Sequence, residues 1–212
     1  MRGSEEISKN PIVVSKYPRL ALFASGTGTN VAAIIAAVKS GRLQAKIVAI
    51  VCDEYQAPVI VRAQQAKCPL LVLNPKDTLS RQGWEEQLVA FLKNQQVDWI
   101  ALAGFMRIIG QPLLEAFPHH IVNIHPALLP AFPGRTGIED AYRAKVAKTG
   151  VTIHYVDSGI DTGEIIAQES LEIDPKWTLA DLAQRIHQIE HRLYPTVLNQ
   201  LFIQEKITER KE

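Results

Sequence analysis

Short apolar runs that alternate with helical patterns constrain this chain more than any other feature. RLALFA (Arg19 to Ala24), AKIVAIVCD (Ala45 to Asp53), LLVL (Leu70 to Leu73), DWIALAG (Asp98 to Gly104) and IVNIH (Ile121 to His125) are nearly unbroken in apolar residues. Strands read that way when both faces are covered, as in a parallel sheet with helices on each side. The intervening segments have helical spacing. NVAAIIAAVKSG ends at Gly41, PVIVRAQQAK opens at Pro58, and SRQGWEEQLVAFLKNQQ follows Ser80, a candidate N-cap. After Gly150 the texture changes, because VTIHYV and EIIAQESLEI alternate polar with apolar and read as antiparallel strands at one sheet edge. A helix over about Leu179 to Gln204 closes the pattern, ahead of a charged EKITERKE end. The expected fold class is α/β: a Rossmann-like, mostly parallel sheet with helices on both faces and antiparallel strands added near the C-terminal half.

With 212 residues and no repeat or linker, the expectation is one domain over residues 19–212 behind a flexible extension over residues 1–18. The polar, mixed-charge MRGSEEISKNP start resembles neither a signal peptide nor a transit helix. No apolar run approaches the ~20 residues that span a bilayer. A net charge of +1 gives no footprint for nucleic acid or a membrane surface. Cys52 and Cys68 lack metal-ligand spacing and read as buried thiols of a reducing compartment, so the expected location is cytoplasmic and no metal is expected.

Ligands of open α/β sheets bind beyond the carboxyl ends of the strands, and three candidate segments fall there. The first is ASGTGTN, where Gly26 and Gly28 permit a tight turn and Thr29 and Asn30 open a helix. Uncapped amides and the helix dipole suit a phosphate. Two other readings stand beside it: an ordinary strand-to-helix turn, or a dinucleotide fingerprint with Asp53 as the ribose acid. Val31 in place of the third glycine weighs against the latter.

The second candidate lies in IVNIHPALLPAFPG. Asn123 and His125 are i and i+2 of a strand, so they share a face and can converge on one atom. The stiff loop after them, with Pro126, Pro130 and Pro133, argues against a merely buried histidine. The third is DSGIDTGEII, where Gly159 and Gly163 bracket a turn that delivers Asp161 to a fixed place, with a plain β-turn as the simpler reading. LAGFMRIIG, finally, sets one arginine, Arg107, among apolar residues, which suits a flat aromatic ligand with a carboxylate tail.

Together GTGTN, LAGFMRI, NIHPALLPAFPG, GVTIHYVDSGIDTGEIIAQ and IEHRLYP resemble the phosphoribosylglycinamide formyltransferases, folate-dependent enzymes of purine synthesis, over about Arg19 to Phe202. The resemblance implies 10-formyltetrahydrofolate as donor and glycinamide ribonucleotide as acceptor; on the sequence itself the expectation is a monomer or a homodimer formed along an exposed edge. The resemblance also implies Asn123, His125 and Asp161 as the catalytic trio and Gly28, Thr29 and Asn30 as phosphate contacts. Arg81, Met106, Arg107, Ile108 and Ile109 correspond to folate-binding positions, Glu190 to a substrate contact, and His154 to a histidine beside the active site. Two departures stand out. RTGIEDAY replaces a histidine-containing stretch that some members carry, and Asp53 stands where many have asparagine. Sugar-nucleotide formylation, an NAD-dependent oxidoreductase and a non-catalytic binding module are the competing expectations.

Overall fold

A computed structural model describes residues 17–209. Seven strands form one sheet: β1 (Arg19–Ala24), β2 (Lys46–Cys52), β3 (Leu70–Val72), β4 (Trp99–Leu102), β5 (Ile121–His125), β6 (Lys148–Tyr155) and β7 (Ile165–Glu172). Six α-helices accompany them: α1 (Thr29–Lys39), α2 (Val59–Gln65), α3 (Arg81–Asn94), α4 (Gln111–Ala116), α5 (Gly137–Arg143) and α6 (Leu179–Glu209), with one 3-10 turn at Pro75–Asp77. The strand order is β3-β2-β1-β4-β5-β6-β7. The first five are parallel, while β6 and β7 run antiparallel to their neighbours, as the change in sequence texture predicts.

β1 shows why the apolar runs are continuous. Leu20, Leu22 and Ala24 pack with side chains of α1, α2 and α6, whereas Ala21 and Phe23 pack with α3 and α4 on the other face. Both faces of the strand are covered from Leu20 to Ala24, so those five positions are all apolar and only Arg19, at the less buried start, is not. Ser80 caps α3 by accepting the Gly83 N–H at 3.0 Å, as expected from the sequence. Tyr194 of α6 is fully buried, with its hydroxyl between the carbonyls of Leu102 (3.1 Å) and Val122 (2.9 Å). That contact pins the long helix to the carboxyl end of β4 and to the first half of β5.

The structure departs from the sequence expectation in a few places. Helices α4 and α5 were not expected: each is one to two turns long, too short to display helical periodicity. Cys52 and Cys68 are free thiols as expected, but Cys68 is only half-buried, with its thiol pushed up to about 11 by burial. The expected extension lies outside the described residues except for Tyr17 and Pro18. Pro18 is buried and its carbonyl accepts the Lys46 N–H at 2.8 Å, so ordered pairing reaches one residue before Arg19. Among the described residues no helix is long and apolar enough to cross a membrane.

Because β2 and β4 lie on opposite sides of β1, the connections after β1 and β4 leave the sheet in opposite directions. That divergence opens a crevice at the carboxyl ends. The loops on its rim touch: the Ser25 N–H donates to the Gly104 carbonyl at 3.0 Å and the Met106 N–H to Ser25 Oγ at 2.8 Å.

Candidate active site

A cavity of about 570 Å³ opens at this crevice. Its polar end holds Asn123, His125, His154 and Asp161, and its apolar wall is formed chiefly by Trp84, Phe105 and residues 106–109. Strand registry accounts for the polar end. In the β5–β6 pair, Asn123 faces His154 and His125 faces Thr152, so two imidazoles and an amide meet across adjacent strands.

Asp161 is the point of convergence. Its Oδ1 lies 3.4 Å from Asn123 Nδ2 and 3.5 Å from His154 Nε2. Its Oδ2 lies 3.4 Å from His125 Nδ1 and accepts the Gly134 N–H at 2.7 Å. The residue has a left-handed backbone (φ 54°), which Asp tolerates better than most side chains. Asp157 supports the turn by accepting the Gly159 N–H at 3.0 Å and the Thr162 hydroxyl at 2.8 Å. A side chain at Gly163 would place its Cβ 1.8 Å from the Tyr155 carbonyl oxygen, so the glycine is required by close approach.

The loop after β5 is held from the sheet. Buried Thr152 donates to the Ala127 carbonyl at 2.6 Å and accepts the Leu129 N–H at 3.0 Å. Gln168 of β7 donates to the Leu129 carbonyl at 2.8 Å. His125 in turn donates from Nε2 to the Phe132 carbonyl at 2.8 Å, which leaves Nδ1 as the atom that titrates. Gly137 begins α5 against this ring: a Cβ there would lie 3.2 Å from His125 Nε2.

Burial lowers the His125 imidazole below its ordinary value, against the upward pull of the Asp161 carboxylate, the Phe132 carbonyl and Glu190. The Asp161 carboxylate, which by itself would raise that value, is outweighed by desolvation. For Asp161, burial pushes upward, yet hydrogen bonds from His154 and the Gly134 N–H and the positive fields of both histidines bring it below the ordinary carboxylate value.

The apolar wall is built by a clamp. The Glu85 carboxylate, almost fully buried on α3, accepts the Gly110 N–H at 2.9 Å and faces Arg81 Nε at 3.3 Å. Arg81 donates from Nη2 to the Ile108 carbonyl at 2.7 Å. Arg81 therefore lines the cavity while bracing the loop. Met106 and Ile108 are exposed, and Ile109 is buried beneath them. Arg107 is less available than its sequence context implies: Nε contacts Asp53 at 2.6 Å and Nη2 contacts Glu54 at 2.9 Å. Asp53 is itself buried on Arg107, so it is not presented as a ribose acceptor, and the dinucleotide reading loses its acid.

Gly28, Thr29 and Asn30 do not line this cavity but stand beside it, through the Ser25 contacts to Gly104 and Met106. Gly28 is left-handed (φ 69°), and α1 begins without a side-chain cap, so its first amides are available to an anion. Asn30 is buried; its Nδ2 donates to Glu190 Oε2 at 3.2 Å, and its Oδ1 has no partner among the described residues. Its side chain thus offers an acceptor rather than a second phosphate donor.

Several residues escaped the sequence reading. Trp84 stacks at 6.4 Å on Phe105 of the LAGFMRIIG loop to form the pocket wall, but in sequence it is an ordinary apolar position of a helix. Thr152 and Gln168 left a weak signal, as polar residues in alternating strands whose facing partners the sequence does not identify.

A doubly wound sheet with an amide, two imidazoles and a carboxylate gathered beside a flat apolar wall defines a group-transfer enzyme for an aromatic carrier. The chain belongs to the formyl transferase family, whose pattern it matches over residues 18–198. It is 46% identical to the phosphoribosylglycinamide formyltransferase of Bacillus subtilis over 183 residues, 86% of this chain and 94% of that one. It is 33% identical to the human trifunctional purine biosynthetic protein adenosine-3, over 86% of this chain but only 18% of that longer protein. The crystal structure of glycinamide ribonucleotide transformylase 1 from Geobacillus kaustophilus superposes with a TM-score of 0.86 at 53% identity, covering 88% of this chain and 99% of that one.

Proposed function

We propose that this enzyme transfers the formyl group of 10-formyltetrahydrofolate to the primary amine of glycinamide ribonucleotide, with Asn123, His125 and Asp161 as the catalytic trio. The observation that carries the reading is the meeting of those three groups at one end of a cavity whose other wall is flat and apolar. An aromatic carrier fits against Trp84, Phe105 and the 106–109 loop, with Arg81 and Arg107 at the mouth. The acceptor's phosphate is assigned to the amides of Gly28, Thr29 and Asn30, and Glu190 contacts the same substrate.

In this reading the acceptor amine attacks the formyl carbon and a tetrahedral intermediate forms with negative charge on oxygen. Asn123 and protonated His125 stabilise that oxygen, each aimed donor being worth ~3–4 kcal/mol. The bond from carbon to the folate nitrogen then breaks, and the amine's proton passes to that nitrogen, with Asp161 relaying it through water. His125 takes up on Nδ1 the proton that the attacking amine sheds, so it is protonated when the oxyanion forms, and it yields that proton as the folate nitrogen leaves.

The test is an absorbance assay of donor consumption with and without glycinamide ribonucleotide. Acceptor-dependent consumption supports the reading. Consumption that ignores the acceptor indicates hydrolysis and overturns it.

A further inference from the structure

Beyond the trio, a buried polar cluster lies between α1 and α6. Glu190 is 4% exposed, and both hydrogen bonds it receives go to one oxygen: Oε2 accepts from Asn30 Nδ2 at 3.2 Å and from His187 Nδ1 at 2.8 Å. Asn30 Oδ1, buried and unpartnered among the described residues, lies on the other side of the same amide. Asn30 and Glu190 thus form an acceptor pair, suited to a hydroxyl or amine donor and adjoining the open amides of α1. A buried carboxylate so close to an anion-binding helix start creates a conflict. Its charge repels a phosphate unless a cation offsets it, and His187 is the cationic group in contact with it.

We propose that His187 is a positioning residue for the acceptor, its Nδ1–H fixing Glu190 and its charge offsetting that carboxylate, so that an anionic acceptor binds more tightly when His187 is protonated. The inference rests on the assignment of Gly28, Thr29, Asn30 and Glu190 to the acceptor. His187 is half-exposed at the surface end of the cluster, so it exchanges protons with solvent while Glu190 stays buried. The hydrogen bond to Glu190, with the carboxylate's charge, raises the His187 value against the effect of burial.

The surrounding charges are few. His191 lies parallel to His187 with ring centroids 6.4 Å apart, and burial lowers its value. From α1 the facing group is Asn30, which does not titrate. Glu190 also acts on Tyr194 and His125. The basic residues of α6 nearest in sequence are engaged elsewhere, Arg185 over the Trp177 ring and Arg192 with Glu169.

Two variants separate the roles. His187→Gln keeps a donor for Glu190 but cannot carry charge, and His187→Leu removes both. In wild type the KM for glycinamide ribonucleotide should rise about fivefold as pH increases through the His187 titration, the size expected of one charge-assisted contact open to water on one side. In His187→Gln that rise should flatten, and in His187→Leu the KM should be high at every pH, while kcat and the donor KM follow wild type. Titration of the amine and of His125 is common to all three proteins and cancels in the ratios. Calorimetry of acceptor binding in buffers of different ionisation enthalpy should show more proton uptake by wild type than by His187→Gln, the difference being the His187 proton. A His187→Gln protein whose acceptor KM and proton uptake follow wild type at each pH overturns the proposal. Absence of formyl transfer in wild type overturns the acceptor assignment instead, whatever the proton uptake.

Discussion

His125 Nδ1 faces Asp161 Oδ2 at 3.4 Å, while Nε2 on the opposite side of the ring donates to the Phe132 carbonyl at 2.8 Å. A carbonyl can only accept, so the proton on Nε2 is fixed and the reactive nitrogen is the one beside the carboxylate. The β5 strand supplies the ring, the proline-rich loop supplies the carbonyl, and the turn after β6 supplies the acid. Replacement of His125 by Ala removes the titrating nitrogen without touching the start of α1. Turnover should fall about a thousandfold, the range of a lost acid–base group and oxyanion donor. Binding of glycinamide ribonucleotide, measured by calorimetry, should stay near the wild-type value. Undiminished turnover would remove His125 from the chemistry.

Asp161→Asn isolates the charge. The carboxylate pulls the His125 value upward against burial, so its loss should lower that value further. The acid limb of the pH–rate profile should therefore move to lower pH, and kcat should drop at neutral pH because the proton relay is gone. A profile with an unmoved acid limb would mean that the two groups do not act on one another.

The same pair predicts how folding stability depends on pH. The folded His125 value lies below 6.5, so the unfolded chain takes up that proton first as pH falls. Stability from this group is complete above 6.5 and is lost as pH drops from there toward the folded value. Asp161 works lower in the range. Its folded value lies under 3.8, so its contribution is present above that and lost on acidification below it. His125→Gln should lose less stability than wild type between pH 7 and pH 5 in urea titrations. Equal losses would show that burial of this ring carries no proton linkage.

How far the site was legible in the sequence depended on whether its parts lie close along the chain. Asn123 and His125 were readable because a strand repeats every two residues, and Asp161 because glycines mark its turn. The continuous apolar runs foretold the parallel sheet, and the later alternation foretold β6 and β7. What stayed hidden depends on registry between distant segments. That His154 faces Asn123 follows from the pairing of β5 with β6, which no local pattern states. The capture of Arg107 by Asp53 joins residues 54 positions apart. The Asn30–Glu190 bond joins residues 160 apart.

Gly28 is a point where backbone geometry and packing both exclude a side chain. Its φ is 69°, and a Cβ would lie 2.5 Å from Val59 Cγ2. Ala at this position should lose roughly 1–2 kcal/mol to the left-handed backbone and a further ~1–3 kcal/mol to overpacking. For a chain of this size that is a fall in Tm of roughly 10 °C by calorimetry. Acceptor KM should rise with it, because the first amides of α1 would be displaced. A variant with wild-type Tm would show that α2 yields to the extra methyl.

The clamp on the folate-side loop makes a separable prediction. Glu85 reaches Gly110 and Arg81, and Arg81 reaches the Ile108 carbonyl, so one buried carboxylate sets the height of the whole 106–110 segment. Gly110 has no room for a side chain, since a Cβ would sit 2.5 Å from Glu85 Oε1. Glu85→Gln preserves the shape but puts an NH2 group in place of Oε2, 3.1 Å from the Gly110 N–H, and removes the charge that faces Arg81. The loop should loosen, and the donor KM should rise about tenfold, the effect of roughly 1.4 kcal/mol. Acceptor KM should hold, because α1 and Glu190 take no part in the clamp. Steady-state kinetics with each substrate varied in turn provides the check. A parallel rise in both KM values would indicate general unfolding rather than a loop held from α3, and a donor KM equal to that of wild type would leave Glu85 with no part in the donor site.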